Sequence, residues 1–138
     1  MFKKINLQYI FSYLGLFPFF LILLNKFFFK YFDYNIVKDF AIFYSIIIFV
    51  FIGAVNWNLK KKISFFNVFI GFIPSLVSFF LIIMFLYSYQ VIWYLMVFFI
   101  IQLMLDKYNY KEKNRDVFYK LRIPLTLSIL CSLILIQL

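Results

Sequence analysis

Four side chains carry most of the chemistry this sequence could perform within an apolar setting: Asn56, Gln102, Asp106 and Arg122. Gln102 and Asp106 are four residues apart, so on a helix they share a face and the amide can donate to the carboxyl group. Arg122 offers a planar donor fork suited to a carboxylate such as Asp106, and Asn56 offers both a donor and an acceptor. With Asn67, these residues fall within about one helical turn of the same boundary of the apolar segments. The sequence leaves two readings open for this layer. One is interfacial snorkelling and structural hydrogen bonding; the other is a polar pocket for a head group, an ion or a small solute.

Reaction chemistry is harder to assemble. There is no Gly-rich phosphate loop, no histidine, no pair of carboxylates within one apolar segment, and no serine with an evident activating neighbour. No catalytic residue is assigned. Without histidine, and with the single thiol of Cys131 inside an apolar run, neither a metal site nor a cofactor is expected.

The elements that must position these residues follow from composition. With 67% hydrophobic and 14% charged residues, the 138-residue chain lies far from the usage of a soluble domain. The apolar residues gather into runs instead of alternating, which favours helices over a barrel. Crossing a hydrocarbon core takes roughly 20 helical residues. The sequence therefore predicts an all-α, polytopic bundle forming one integral membrane domain over 1–138. Its five transmembrane helices are expected at about 9–29, 40–57, 63–87, 89–106 and 121–138, with a loop at 107–120 lying on the membrane surface. The first run is too long for a signal peptide and lacks a small-residue cleavage site, so it is expected to be retained. Pro124 is expected in the first turn of the last helix, where a missing N–H costs little.

Charge sets the expected threading. Of the 14 lysines and arginines, all but Lys26, Lys30 and Lys38 fall on the side of the N-terminus in this five-span arrangement. The positive-inside rule then places the N-terminus and the 107–120 loop in the cytoplasm and the C-terminus outside. The net charge of +9 sits in the connections, with no soluble domain to carry a basic face, so nucleic acid is not expected as a partner. The expected partners are membrane lipids, including anionic head groups on the cytoplasmic side, with a membrane-protein partner or homo-oligomer left open. A bacterial inner (cytoplasmic) membrane is the expected location. Trp57, Lys60, Lys61 and Lys62, together with Tyr31, Tyr34, Tyr87, Tyr89, Trp93 and Tyr94, read as interfacial anchors.

Helix association in lipid depends on close packing and interhelical hydrogen bonds. Gly71, Ser75 and Ser78 stand on one face of the third helix with Pro74 beside them, an expected packing seam or hinge. Several segments read together carry a resemblance: YLGLFPFFLIL from Tyr13, FIGAVNWNL from Phe51, IPSLVSFFLII from Ile73, QLMLDKY from Gln102 and FYKLRIPLTL from Phe118. The chain resembles the domain-of-unknown-function family of small polytopic membrane proteins that includes transmembrane protein 69. That resemblance implies about five helices and no assigned activity. The family's second helix tends to end in Gly-x-x-His-Trp-Gly; here Gly53 and Trp57 match, while Asn56 and Asn58 replace the histidine and the last glycine. Hydrogen bonding carries over to Asn56, but proton exchange and metal ligation do not. The expected function is that of a noncatalytic accessory, assembly or scaffold protein, with a small-solute or lipid-head-group binding protein or transporter as the alternative.

Overall fold

The computed structural model describes residues 7–55, 64–109 and 118–138, and every element among them is helical. Five stretches are long and apolar enough to cross a membrane: Tyr9–Phe29, Tyr34–Ala54, Phe65–Leu86, Val91–Asn109 and Phe118–Gln137. The all-α architecture with five candidate spans is the one the sequence predicts.

The first span is built in pieces, α1 (Leu7–Leu14), α2 (Phe17–Leu24) and a π-helical turn over Asn25–Phe29. Pro18, in the first turn of α2, has no N–H to offer the carbonyl of Leu14. The path tightens there, with the Leu16 N–H donating to Tyr13 O at 3.0 Å. The second span, α3 (Tyr34–Ala54), starts six residues before the expected 40. Asp33 accounts for this. Its carbonyl accepts from the Val37 N–H at 3.1 Å and its carboxyl oxygen lies 3.5 Å from the Asn35 N–H, so the helix begins at its cap and not at the apolar run.

The third span, α4 (Phe65–Leu86), starts on Ser64, whose Oγ accepts from the Asn67 N–H at 3.4 Å. It stops where Ser88 turns into the left-handed region with φ 63°, and the Ser88 and Tyr89 N–H groups return to Phe85 O and Met84 O. The fourth span, α5 (Val91–Asn109), follows directly. The fifth consists of a π-helical turn over Phe118–Arg122 that runs into α6 (Ile123–Gln137), so residues 118–120, expected in the loop, are helical.

Contacts group the chain into two compact units, Met1–Ala41 with Tyr110–Leu138, and Ile42–Asn109. In the first, α2 packs on α6. The buried face of the last span is Arg122, Thr126, Ile129, Leu133 and Ile136, at alternating spacings of four and three that trace one helical stripe. From the first span, Phe19, Ile22 and Asn25 are buried. In the second unit, α4 packs on α5. Leu95, Phe99, Gln102 and Asp106 extend one buried stripe along α5, and Phe49 of α3 meets Phe99 edge-on at 5.3 Å between ring centroids. Such a pair adds about 0.5–1.5 kcal/mol beyond the area it buries. Outward positions such as Phe51, Phe79, Phe80 and Met104 expose large apolar side chains, as a surface in contact with lipid requires.

Candidate functional site

At the far end of α5 the buried stripe turns polar. Gln102 is 3% and Asp106 1% exposed, and the Gln102 amide Nε2 donates to Asp106 Oδ1 at 3.2 Å. Both follow Leu95 and Phe99 on the buried side of α5. A carboxyl group enclosed there needs hydrogen-bond partners, and the Gln102 amide supplies one.

A second feature of the same unit is a close approach between α3 and α4. A Cβ placed on Gly53 would lie 2.6 Å from Pro74 Cγ and 2.9 Å from the carbonyl oxygen of Gly71. Only a residue without a side chain fits. Pro74 deprives the Ile70 carbonyl of its helical donor, and the small surface of Gly71 and Pro74 lets the neighbouring backbone come near. Gly71, Pro74 and Ser78 are buried with Ile70 and Leu81. Of the residues expected in the seam, Gly71, Pro74 and Ser78 are buried and Ser75 is half-buried. Among the described residues, the buried Ser78 Oγ has no hydrogen-bond partner.

In the first unit, polar side chains serve as ties. Pro124 lies at the start of α6 and cannot donate to the carbonyl of Lys120, whose α-helical donor would be the N–H of residue 124. Tyr13 supplies the bond instead, its hydroxyl donating to Lys120 O at 2.6 Å. At the other end of α6, the last carbonyls also lack helical donors. Lys26 Nζ donates to Leu135 O at 2.6 Å and to Ile136 O at 3.1 Å, and the Tyr34 hydroxyl donates to Ile136 O as well. The ammonium also stands 5.2 Å from the centroid of the Tyr34 ring. Tyr13 thus meets the beginning of the last span and Lys26 its end, so the first and last spans run in the same direction.

Within α6 the hydroxyls of Ser128 and Ser132 each donate at 2.8 Å to the carbonyl four residues back, those of Pro124 and Ser128. Asn25 performs a similar service at the end of the first span. Its Oδ1 accepts from the N–H groups of Tyr31 and Phe32, both at 3.1 Å, and its Nδ2 donates to Phe32 O at 3.4 Å.

Of the four residues the sequence singles out, Gln102 and Asp106 are brought together. Arg122 is 6% exposed at the entry to α6 in the first unit. Asn56 lies outside the described residues, as do Trp57, Lys60, Lys61 and Lys62. Tyr13 and Lys26 carry interhelical bonds that the pattern of apolar runs does not reveal. Their signal in the sequence is indirect: a proline orphans the carbonyl four residues earlier, and a helix end orphans its last carbonyls. Among the described residues, no group of three or more His, Cys, Asp or Glu side chains is placed to hold a metal ion.

A family model described as "Protein of unknown function (DUF3429)" matches residues 6–138. No curated protein and no solved structure matches the chain.

Proposed function

The chain belongs to the DUF3429 family of proteins of unknown function, and from that premise we propose that it is a noncatalytic integral membrane protein acting as an accessory, assembly or scaffold component. The observation that carries this reading is the direction of its polar bonds. Tyr13, Lys26 and Tyr34 donate to carbonyls of another helix, and Ser128 and Ser132 to carbonyls of their own. Such donors hold helices in place; they do not converge on a space where a substrate would react.

The proposal extends to setting and threading. A bacterial inner membrane, with the N-terminus in the cytoplasm and the C-terminus outside, agrees with the distribution of lysines and arginines. The parallel course of the first and last spans supports an odd number of crossings between the termini. Kinship with transmembrane protein 69 rests on the segments from Tyr13, Phe51, Ile73, Gln102 and Phe118. Lipids, with anionic head groups at the cytoplasmic lysines, are the proposed surroundings, and a membrane protein or a second copy of the chain is the proposed partner.

One observation favours a second reading, a protein that binds a small solute or lipid head group: the carboxyl group of Asp106, almost wholly enclosed at the end of its helix. An intramembrane acid is retained at a cost, and that cost is often the mark of a ligand site. Purification of the tagged chain from its own membrane in a mild detergent separates the two. The accessory reading requires a stoichiometric membrane-protein partner whose own abundance falls when this chain is removed. A lipid or solute that copurifies without such a partner, and is lost on Asp106→Asn, would replace it with the second reading.

A further inference from the structure

The end of the first span and the connection that follows it expose a run of aromatic side chains. Phe27, Phe28, Phe29, Tyr31 and Phe32 are each more than half exposed, with Tyr31 at 83% and Phe28 at 75%. In water this would be an unusually apolar turn. Its backbone is also unusual. A connection normally needs water for its unpaired N–H and C=O groups, which confines it to solvent. Here one buried residue, Asn25, takes part of that place. The carbonyl of Asn25 accepts from the Lys30 N–H at 2.7 Å, its Oδ1 accepts from the Tyr31 and Phe32 N–H groups, and its Nδ2 donates to Phe32 O. The left-handed conformation of Lys30, with φ 51°, closes the turn around that amide. The charge one turn earlier is withdrawn too, since the Lys26 ammonium faces the carbonyls of Leu135 and Ile136.

We infer that the turn over Phe27–Phe32 is a lipid-inserted anchor, its backbone satisfied in advance by Asn25 so that its rings can enter the boundary between head groups and acyl chains. The inference rests on the membrane reading above and adds a surface and its partner. Lys30 and Asp33, both exposed, bracket the rings at the level where phosphates and water can meet them, which limits the depth of insertion. The stacking of Tyr31 on Phe29, with centroids 6.0 Å apart and planes 18° from parallel, holds two of the rings as one apolar plate. Phe27–Phe29 are also the last residues of the apolar span Tyr9–Phe29, so no solvated segment separates the turn from that span.

The test uses the full chain with Cys131→Ser, reconstituted in vesicles of phosphatidylethanolamine and phosphatidylglycerol. Spin labels are placed one at a time on Phe28→Cys, Phe32→Cys and, as a reference on the exposed side of α4, Phe79→Cys. Each label is read by its collisions with oxygen, which concentrates in lipid, and with a water-soluble nickel chelate. The labels at 28 and 32 should favour oxygen severalfold and lie about 5–10 Å beneath the phosphates, shallower than the label at 79. Asn25→Ala should raise their nickel collisions severalfold, whereas Asn25→Asp, which keeps the acceptor, should raise them less. Nickel-accessible labels at 28 and 32 beside an oxygen-favoured 79 would overturn the anchor while leaving the membrane reading intact. Nickel access at all three would overturn both. Shielding of 28 and 32 from both reagents would mean that protein, and not lipid, covers the turn. Unchanged depth on Asn25→Ala would remove Asn25 from the explanation. Should that variant fail to accumulate, the depth of the labels with Asn25 in place still decides the matter.

Discussion

In the unit formed by residues 1–41 and 110–138, long polar side chains reach from one helix to carbonyls that another helix has left without donors. In the unit formed by residues 42–109, two helices approach closely where one of them lacks a side chain: Gly53 lies against Gly71 and the ring of Pro74. Each solution begins with a proline. Pro124 leaves the Lys120 carbonyl without its helical donor, and Tyr13 answers it with a hydroxyl. Pro74 does the same to the Ile70 carbonyl, but its ring is used as a small, flat surface for packing. The difference shows two routes around one constraint, that lipid gives helices no hydrophobic reason to associate. A hydrogen bond tolerates some movement of the partners, whereas a contact at van der Waals distance does not.

The contrast is most easily broken at Gly53. An added methyl group would sit 2.6 Å from Pro74 Cγ and 2.9 Å from the Gly71 carbonyl, and neither a proline ring nor a helix backbone can swing aside. Gly53→Ala should therefore cost about 1–3 kcal/mol, the usual range for overpacking. The measurement is a fall in the midpoint of thermal unfolding in detergent, with a larger fall for Gly53→Val. A midpoint unchanged in both variants would mean that this approach is not a rigid contact, and the distinction between the units would dissolve.

Lys26 tests the other unit. Its ammonium lies at the negative end of α6 and donates to two of the last carbonyls, an arrangement in which a cation contributes about 0.3–2 kcal/mol according to burial. Lys26→Met keeps the length of the stem and removes the charge. It should lower the unfolding midpoint by less than Gly53→Ala, and it should speed hydrogen exchange in the last turn of α6 while leaving α4 unaffected. Exchange that quickens equally in both helices would show that the tie is not local to the end of α6.

How much of this was legible in the residues depends on the length of the signal. The five spans were readable because each is a run of about 20 apolar residues, and lipid leaves a helix as the economical solution. Their starts were less so. Tyr34 was missed because Lys38 and Asp39 interrupt the hydropathy, although Asp33 is an evident cap. Gln102 and Asp106 were legible through their spacing of four, which fixes a shared face. The approach of Gly53 to Pro74 was not, because one helix read alone cannot say where its neighbour's glycine lies. Tyr13 and Lys26 were hidden for a related reason. Their partners are backbone carbonyls, which every residue possesses, so the sequence marks them only indirectly, through Pro124 and the end of the last helix.

The smallest effect is the sharpest, because it asks whether the tyrosine tie exists on account of the proline. Tyr13→Phe removes only the hydroxyl that donates to Lys120 O. Interhelical hydrogen bonds within membranes average about 0.6 kcal/mol, so the shift in midpoint should be small but measurable. Pro124→Ala returns an N–H at the position that serves the Lys120 carbonyl in a regular helix. If the hydroxyl answers an orphaned acceptor, Tyr13→Phe should cost markedly less in the Pro124→Ala background than in the native chain. The double-mutant cycle isolates that coupling from whatever each change does alone. Strict additivity would mean that the bond exists for some reason other than the proline, and the parallel drawn between Pro124 and Pro74 would lose its first half.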